Sequence, residues 1–172
     1  KKGIKKGDKV MLTLKNRYEF WFTMVALHKI GAVAIPATHM LKLHDIDFRI
    51  KNANVKLIVT VEEDRLIPDY EEAQKELGTD LVKCVIERDL DGWINFNKAI
   101  EEESDEFERP TGDDEVLADD ISLIYFTSGT SGLPKMVAHK QTYGLGHIPT
   151  AKYWHKVEED GIHHTAADTG WG

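Results

Sequence analysis

The sequence predicts an α/β domain in which a mostly parallel sheet is flanked by helices. Short runs rich in β-branched and aromatic residues alternate with segments of helical periodicity along most of the 172 residues. Such alternation is typical of parallel strands joined by crossover helices. The fifth β-rich run leads directly into a stretch of glycine, serine and threonine. In open α/β sheets, ligands bind beyond the carboxyl ends of the strands, which is where this stretch is expected.

The first part of the chain supplies four predicted strands and the helices that connect them. The strands are expected at 10–14, 32–36, 57–61 and 81–86, and the helices at 17–30, 43–54, 69–77 and 94–102. Asn16 and Glu19 have the spacing of a capping box at the start of the first helix. That helix is apolar on most faces, which predicts that it is buried on all sides. In the second helix, Leu43, Ile46 and Ile50 recur at helical spacing.

The later part of the chain begins with an acidic segment. Residues 101–118 are rich in Asp and Glu and poor in apolar side chains. This composition indicates a solvated connection between two halves of the sheet, with an acidic partner-binding segment as the alternative. We therefore divide the chain into an α/β portion (1–100), the acidic connection (101–118) and a third segment (119–172). The third segment contains the fifth strand, the glycine-rich loop, a helix and a final polar-aromatic motif.

Composition narrows the functional classes. The chain has 22 basic and 30 acidic residues and a net charge of −8, which argues against non-specific nucleic-acid binding. The sequence contains no apolar run of transmembrane length and no recognisable signal peptide, so we expect a cytoplasmic protein. Cys84 lies in a predicted buried strand and is interpreted as a small core residue instead of a reactive thiol. His163 and His164 lack further ligands at metal-binding spacing, which favours structural or surface roles.

Two other observations concern the region after the loop and the ends of the chain. Three histidines recur eight residues apart, a spacing close to that of residues on one face of an α-helix. We interpret these residues, His139, His147 and His155, as positions on a helix that follows the loop. The chain begins without methionine and stops directly after a distinctive motif. Neither end resembles a natural terminus, so we expect the sequence to be part of a longer protein.

The strongest functional signal is the loop after the fifth strand, which is rich in hydroxyl groups and glycine. It consists of Thr127, Ser128, Gly129, Thr130, Ser131, Gly132, Leu133, Pro134 and Lys135. Glycines let the backbone approach a ligand and turn its N–H groups inward, while the hydroxyl groups add donors and the lysine adds positive charge. Such a loop suits a polyphosphate. A Walker loop is excluded because Met136 follows the lysine, and a simple flexible Ser/Gly turn is disfavoured by the preceding strand.

The loop resembles the phosphate loop of the adenylate-forming superfamily, which includes acyl-CoA synthetases, luciferases and peptide-synthetase adenylation domains. Met136, together with His139, is similar to the medium-chain acyl-CoA synthetases. Residues 27–36 resemble the Gly-Ala-x-x-x-Pro segment of the family, and residues 167–171 resemble the Asp-x-Gly-Trp stretch of acetyl- and medium-chain synthetases. The three matches occur in the family's order. The chain is therefore identified as part of the large N-terminal domain of an acyl-CoA synthetase.

This resemblance implies a two-step reaction. The carboxylate of an acid attacks the α-phosphorus of ATP, which gives an acyl-adenylate and pyrophosphate, and the thiol of coenzyme A then takes the acyl group. The loop is implied to bind the ATP phosphates, with Thr130 as a candidate contact of Mg²⁺. Gly170 and Trp171 are implied to lie near the acyl pocket or the coenzyme A path, although Trp171 could instead be a core aromatic. The family's adenylation lysine lies in a small C-terminal domain, so no residue here is assigned as catalytic.

Two other functions stay open on the sequence alone. A superfamily relative could transfer its adenylate to another acceptor, such as a carrier protein, although Met136 and Trp171 argue against this. A non-catalytic nucleotide-binding domain is the second alternative, and the abrupt ends of the chain argue against it. The family's adenine pocket and C-terminal domain are not encoded in residues 1–172, so we expect the isolated chain to be inactive. Neither the acid's length nor the oligomeric state is indicated.

Overall fold

The computed structural model describes residues 2–63, 65–128 and 132–170, which form a seven-stranded sheet with helices on both faces. The strands are β1 (Lys9–Thr13), β2 (Val33–Pro36), β3 (Val55–Thr60), β4 (Val82–Val85), β5 (Ile94–Asn95), β6 (Ile121–Thr127) and β7 (Lys135–Lys140). The helices are α1 (Tyr18–Ile30), α2 (Leu43–Ala53), α3 (Leu66–Leu77), α4 (Phe96–Glu101) and α5 (Tyr143–Gly146). A 3-10 turn lies at Gly112–Asp114 and a π-helical turn at Thr150–Trp154.

The strand order is β5-β4-β3-β1-β2-β6-β7, and the neighbours are parallel except for the antiparallel pair β6 and β7. This arrangement confirms the predicted mostly parallel sheet. The chain passes from β1 to β2, which lies on one side of β1, and then to β3, which lies on the other side of β1. Right-handed crossovers consequently place α1 on one face and α2 and α3 on the opposite face. Helix α4 shares the face of α1, because Nδ2 of Asn97 donates to Oε1 of Glu19 at 3.1 Å.

The core consists of the central strands and one face of each long helix. Strand β1 is paired on both sides and covered on both faces, and Val10, Met11 and Leu12 are accordingly buried. Ile46 and Ile50 of α2 are buried as well, which confirms the helical spacing predicted there. Helix α1 ends at Ile30, and its C-cap is Gly31, whose φ of 70° lies in the left-handed region that favours glycine.

Two predictions for α1 were wrong. The helix begins at Tyr18 with Arg17 as N-cap, and no side chain caps it. Glu19 cannot close a capping box because its side chain is buried and accepts a hydrogen bond from α4. The helix is also not buried on all sides, since Trp21 and Phe22 are 62% and 60% exposed. Only the face that carries Phe20 and Leu27 packs against the sheet in this chain.

The third and fourth predicted helices have different bounds in the structure. Helix α3 begins at Leu66, three residues before the predicted start, because proline is tolerated in the first turn and Pro68 lies there. The segment predicted as one helix over 94–102 is split into the short strand β5 and the helix α4. Asn95 makes this change of structure possible, since its side chain accepts a hydrogen bond from the backbone N–H of Lys98 and caps α4.

A strand follows the glycine-rich loop, where we had predicted a helix. His139 lies in β7, His147 follows α5, and His155 follows the π-helical turn. The helical interpretation of their spacing was therefore wrong, because the chain returns from the loop to pair with β6 along its whole length. Residues 101–118 are mostly exposed, as expected of a solvated connection. None of the helices in the described ranges is long and apolar enough to cross a membrane.

A buried hydroxyl network joins the carboxyl ends of two central strands. Oγ1 of Thr13, the last residue of β1, lies 2.7 Å from Oγ1 of Thr60, the last residue of β3. The hydroxyl of Tyr70 on α3 lies 3.0 Å from the same Thr13 oxygen. Because each buried hydroxyl has a partner, the network has no unsatisfied polar group to destabilise it. The network links α3 to the carboxyl ends of β1 and β3, and the strand order reverses between these two strands.

Candidate functional site

The glycine-rich loop connects β6 to β7 at the carboxyl edge of the parallel sheet. Strand β6 ends at Thr127 and β7 begins at Lys135, and these two residues are paired across the antiparallel ladder. Directly opposed residues of such a pair have neighbouring side chains. Both are exposed. The base of the loop thus presents a hydroxyl and an ammonium group side by side to solvent.

The structure describes only part of the predicted phosphate loop. Ser128 and Leu133 are exposed, and Gly132 has a φ of 92°, a conformation that residues with a side chain rarely adopt. Gly129, Thr130 and Ser131 lie outside the described residues, as do Trp171 and Gly172. The Mg²⁺ contact predicted for Thr130 and the acyl-path role predicted for Trp171 therefore stay predictions.

Arg49 of α2 lies beside the loop and was not identified from the sequence. Its guanidinium carbon is 5.0 Å from the centre of the Phe126 ring, and its side chain is 12% exposed. A cavity of about 280 Å³ lies between the helix and the loop. It is lined by Arg49, Phe126, Thr127, Ser128, Gly132 and Pro134. A signal was present, since Arg49 is three residues after Ile46 and thus on the buried stripe of the helix.

The guanidinium of Arg49 is only partly satisfied by the residues that the structure describes. Its Nη1 donates to the backbone oxygen of Asp45 at 3.0 Å and lies 3.7 Å from that residue's Oδ1. Among residues 2–63, 65–128 and 132–170, neither Nε nor Nη2 of Arg49 makes a hydrogen bond. Burial lowers the pKa of the guanidinium, and the charge of Asp45 opposes this shift. Arginine keeps its charge in proteins, so the cavity wall is cationic.

A second cavity, of about 520 Å³, lies at the carboxyl ends of β1, β3 and β4. Its cations are each paired with a carboxylate, in the pairs Lys15–Glu63, Arg17–Glu87 (3.4 Å) and Arg88–Glu62 (2.6 Å). These opposite charges largely cancel one another. An anion entering this cavity would have to compete with three carboxylates, whereas the cavity beside the loop is lined by arginine, hydroxyl groups and glycine.

The predicted Asp-x-Gly segment lies across the carboxyl ends of β1 and β2. Oδ2 of Asp168 is 3.0 Å from Nδ1 of His39, which follows β2, and both side chains are mostly buried. Oδ1 of Asp168 accepts a hydrogen bond from the backbone N–H of Gly170 at 2.6 Å. The hydroxyl of Thr169 donates to the backbone oxygen of Lys15, which follows β1. Two consecutive residues, Asp168 and Thr169, thus join the segment to the same edge as the loop.

Gly170 makes the closest approach in this segment. A methyl group at this position would lie 2.2 Å from the carbonyl carbon of Ala37 and 2.3 Å from the backbone nitrogen of Thr38. No side chain fits between two backbones at that distance. The predicted place of Gly170 near the acyl or coenzyme A path stays a prediction. Its close approach to Ala37 and Thr38, which follow β2, gives the residue a packing role. His39 has no local sequence signal, because its partner is distant in the chain.

The family of the chain follows from comparison with known proteins. Residues 1–168 match the family described as AMP-binding enzyme, so the chain belongs to this family. It is 35% identical to the mitochondrial acyl-coenzyme A synthetase ACSM5 of Mus musculus, over 98% of this chain and 28% of that protein. These matches confirm the resemblance to acyl-CoA synthetases that the motifs indicated. The chain spans about 28% of the length of the curated relatives it matches.

Solved structures share the fold. The chain superposes on an acyl-CoA synthetase from Brucella canis with a TM-score of 0.80 and 24% identity, over 99% of this chain and 30% of that one. It superposes on the acetoacetyl-CoA synthetase from Streptomyces lividans with a TM-score of 0.82 and 20% identity, over 98% and 27%. The predicted α/β architecture is therefore that of the corresponding region of these enzymes.

Proposed function

We propose that the protein carrying this sequence is an AMP-forming acid–thiol ligase that activates a carboxylic acid with ATP and transfers the acyl group to coenzyme A. The observation that carries the proposal is the loop between Thr127 and Lys135, which joins hydroxyl groups, glycines and an ammonium at the carboxyl edge of the sheet. The relatives support this assignment, because they are named acyl-coenzyme A synthetases.

The proposed contribution of the loop is electrostatic. The first step brings a carboxylate to a triphosphate, and the departing pyrophosphate carries additional negative charge. Backbone N–H groups, hydroxyls and Lys135 would offset that charge in a site that fixes them before reaction. Thr127 and Ser128 are the described hydroxyl residues of the loop that line the adjacent cavity. The remaining loop residues would complete the same cradle.

Mg²⁺ is proposed to arrive with ATP. This ion prefers oxygen ligands and is commonly bound by substrate phosphates with few protein groups. Such a mode fits this chain, because the part that the structure describes contains no group of three or more His, Cys, Asp or Glu residues able to hold a metal. A loop hydroxyl, with Thr130 as the candidate, would add one ligand. When bound, the ion would neutralise part of the triphosphate charge.

The acceptor and the acid are further parts of the proposal. Coenzyme A is favoured over a carrier protein because the curated relatives are named for coenzyme A. A carboxylic acid of fatty acid metabolism is the proposed substrate, with Gly170 and Trp171 near its path. Trp171→Ala should then change the acid profile more than the affinity for ATP. An unchanged profile with a lowered melting temperature would make Trp171 a core residue.

The test uses the natural polypeptide that contains this sequence. It is supplied with ATP, Mg²⁺, coenzyme A and a panel of short and medium acids, and release of pyrophosphate and formation of thioester are measured. Lys135→Ala should raise the free energy of the adenylation transition state by about 2–4 kcal/mol, which slows adenylation, and should leave the fold intact. Lys140→Ala, at the other end of β7, is the matched control. Pyrophosphate-exchange rates within twofold of wild type would remove Lys135 from the mechanism.

The location of the protein is a separate proposal. The proposed location is the cytoplasm, whereas the relatives from mouse and human are named as mitochondrial proteins. Cell fractionation with detection of the endogenous protein decides between them. A cytosolic signal would support the proposal, and a mitochondrial signal would contradict it.

A further inference from the structure

We propose that Arg49 is a second cation of the phosphate site, and that its guanidinium donates hydrogen bonds to a phosphate oxygen of the ATP held by the loop. This inference rests on the proposed function, since it concerns the same nucleotide. It adds to the site a residue of α2, which lies far from the loop in sequence and belongs to none of the motifs that identify the family.

The position of Arg49 is the first argument. The guanidinium lines the cavity of about 280 Å³ together with the described ends of the loop. Thr127 and Ser128, which border the same cavity, are the loop hydroxyls nearest to the strand. A phosphoryl group held by these hydroxyls would therefore lie in the same cavity as the guanidinium.

The donors of Arg49 that the described residues leave open are the second argument. A guanidinium has five N–H donors, and the hydrogen bond that Arg49 makes within residues 2–63, 65–128 and 132–170 uses Nη1. The Asp45 carboxylate lies 3.7 Å from that nitrogen. By contrast, Arg88 in the other cavity has a carboxylate at 2.6 Å. An anionic ligand in the cavity would therefore find N–H donors of Arg49 that the described residues do not engage.

The aromatic contact is the third argument. The guanidinium carbon lies over the Phe126 ring, 5.0 Å from its centre, and Phe126 directly precedes Thr127 in β6. Attraction between the cation and the ring holds the guanidinium at the base of the loop. An arginine held there could bind a phosphate through two N–H groups.

The experiment compares binding of MgATP with binding of adenosine, which has no phosphate. Both are measured by calorimetry on the natural polypeptide, over a series of sodium chloride concentrations. Arg49→Gln should weaken MgATP binding by about 10- to 100-fold, as expected for a lost charged hydrogen bond, and leave adenosine binding within threefold. The salt dependence of MgATP binding should become shallower. Arg49→Lys keeps the charge and should restore part of the affinity.

Lys51→Gln is the matched control, because Lys51 is an exposed cation on the same helix. Equal losses for MgATP and adenosine, or an unchanged salt dependence, would overturn the inference and assign Arg49 to packing alone. Failure of the proposed function gives a different pattern: wild-type protein that does not bind MgATP, or binding that Lys135→Ala leaves unchanged. MgATP binding that depends on Lys135 but not on Arg49 would overturn only the present inference.

Discussion

Nδ1 of His39 lies 3.0 Å from Oδ2 of Asp168, a residue 129 positions later in the chain. This contact connects the end of β2 to the Asp-x-Gly segment. It also orients the Asp168 carboxylate, whose other oxygen accepts the N–H of Gly170. The position of the segment at the carboxyl edge of the sheet therefore depends on a side chain that lies in neither motif.

We expect His39→Ala to loosen this segment. The substitution removes a largely buried partner of the carboxylate, which should lower the free energy of unfolding by about 1–2 kcal/mol. It should also accelerate amide hydrogen exchange at Gly170, whose N–H is held by Asp168. His44→Ala is the control, because His44 is an exposed histidine on α2. Exchange at Gly170 as slow as in wild type would contradict the role of His39.

Gly170→Ala is expected to displace the segment instead of merely loosening it. The added methyl group would lie 2.2 Å from the Ala37 carbonyl carbon, so two backbones must move apart. Overpacking of this kind costs about 1–3 kcal/mol, which thermal unfolding would detect. Gly144→Ala serves as the comparison, since no atom lies within 4 Å of the added group there. Equal melting temperatures for the two variants would show that the close approach does not exist in solution.

Cys84 is expected to be unreactive while the protein is folded. The side chain is buried in β4, and burial raises the pKa of its thiol to about 12. Because the thiolate is the nucleophile, iodoacetamide at pH 8 should alkylate the native chain far more slowly than the chain in concentrated urea. Mass spectrometry gives an unambiguous result, since the sequence contains one cysteine. Comparable rates in both conditions would show that β4 is not buried.

Glu71 is expected to contribute to stability in a pH-dependent way. Partial burial raises the pKa of its carboxyl, but hydrogen bonds from Lys83 (2.7 Å) and Trp93 (2.5 Å) and the charge of Lys83 outweigh this effect and lower it overall. A carboxyl whose pKa is lower in the folded state stabilises the fold above the pKa of the unfolded chain. That contribution is lost as the pH falls through the folded pKa.

Urea unfolding of wild type and Glu71→Gln measures this contribution. At pH 7 the wild type should be the more stable protein, and the difference should shrink as the pH falls through roughly 5 to 3. Glu72→Gln, at the exposed neighbouring position, should show no such dependence. A difference that stays constant over this range would assign Glu71 to packing and not to charge.

The order of strands and helices could largely be predicted, because it depends on local pattern. The runs that became β1, β3 and β6 are apolar and bounded by turn residues, and Ile46 and Ile50 mark α2 by their spacing. The place of the phosphate loop follows from the same logic, since a loop after a parallel strand must lie at the carboxyl edge. Composition and spacing are sufficient for these features.

The errors arise where distant contacts override local pattern. Glu19 has the spacing of a capping residue, yet Asn97 of α4 engages its side chain. The spacing of His139 from the next two histidines is typical of a helix, yet pairing with β6 makes its segment a strand. Arg49 and His39 have partners 77 and 129 residues away, respectively, as counted from the sequence, and no local rule reports such contacts.

The pairing of β2 with β6 has a consequence for how the fold is reached. The register joins Ala34 to Leu123, so about 90 residues must loop out before this contact forms. Strands β1 to β4 join over shorter separations, and β6 with β7 forms a local hairpin. We expect two early nuclei, with docking of the hairpin as the slow step in refolding. The segment that carries the proposed phosphate loop would thus be the last part of the sheet to acquire its partners.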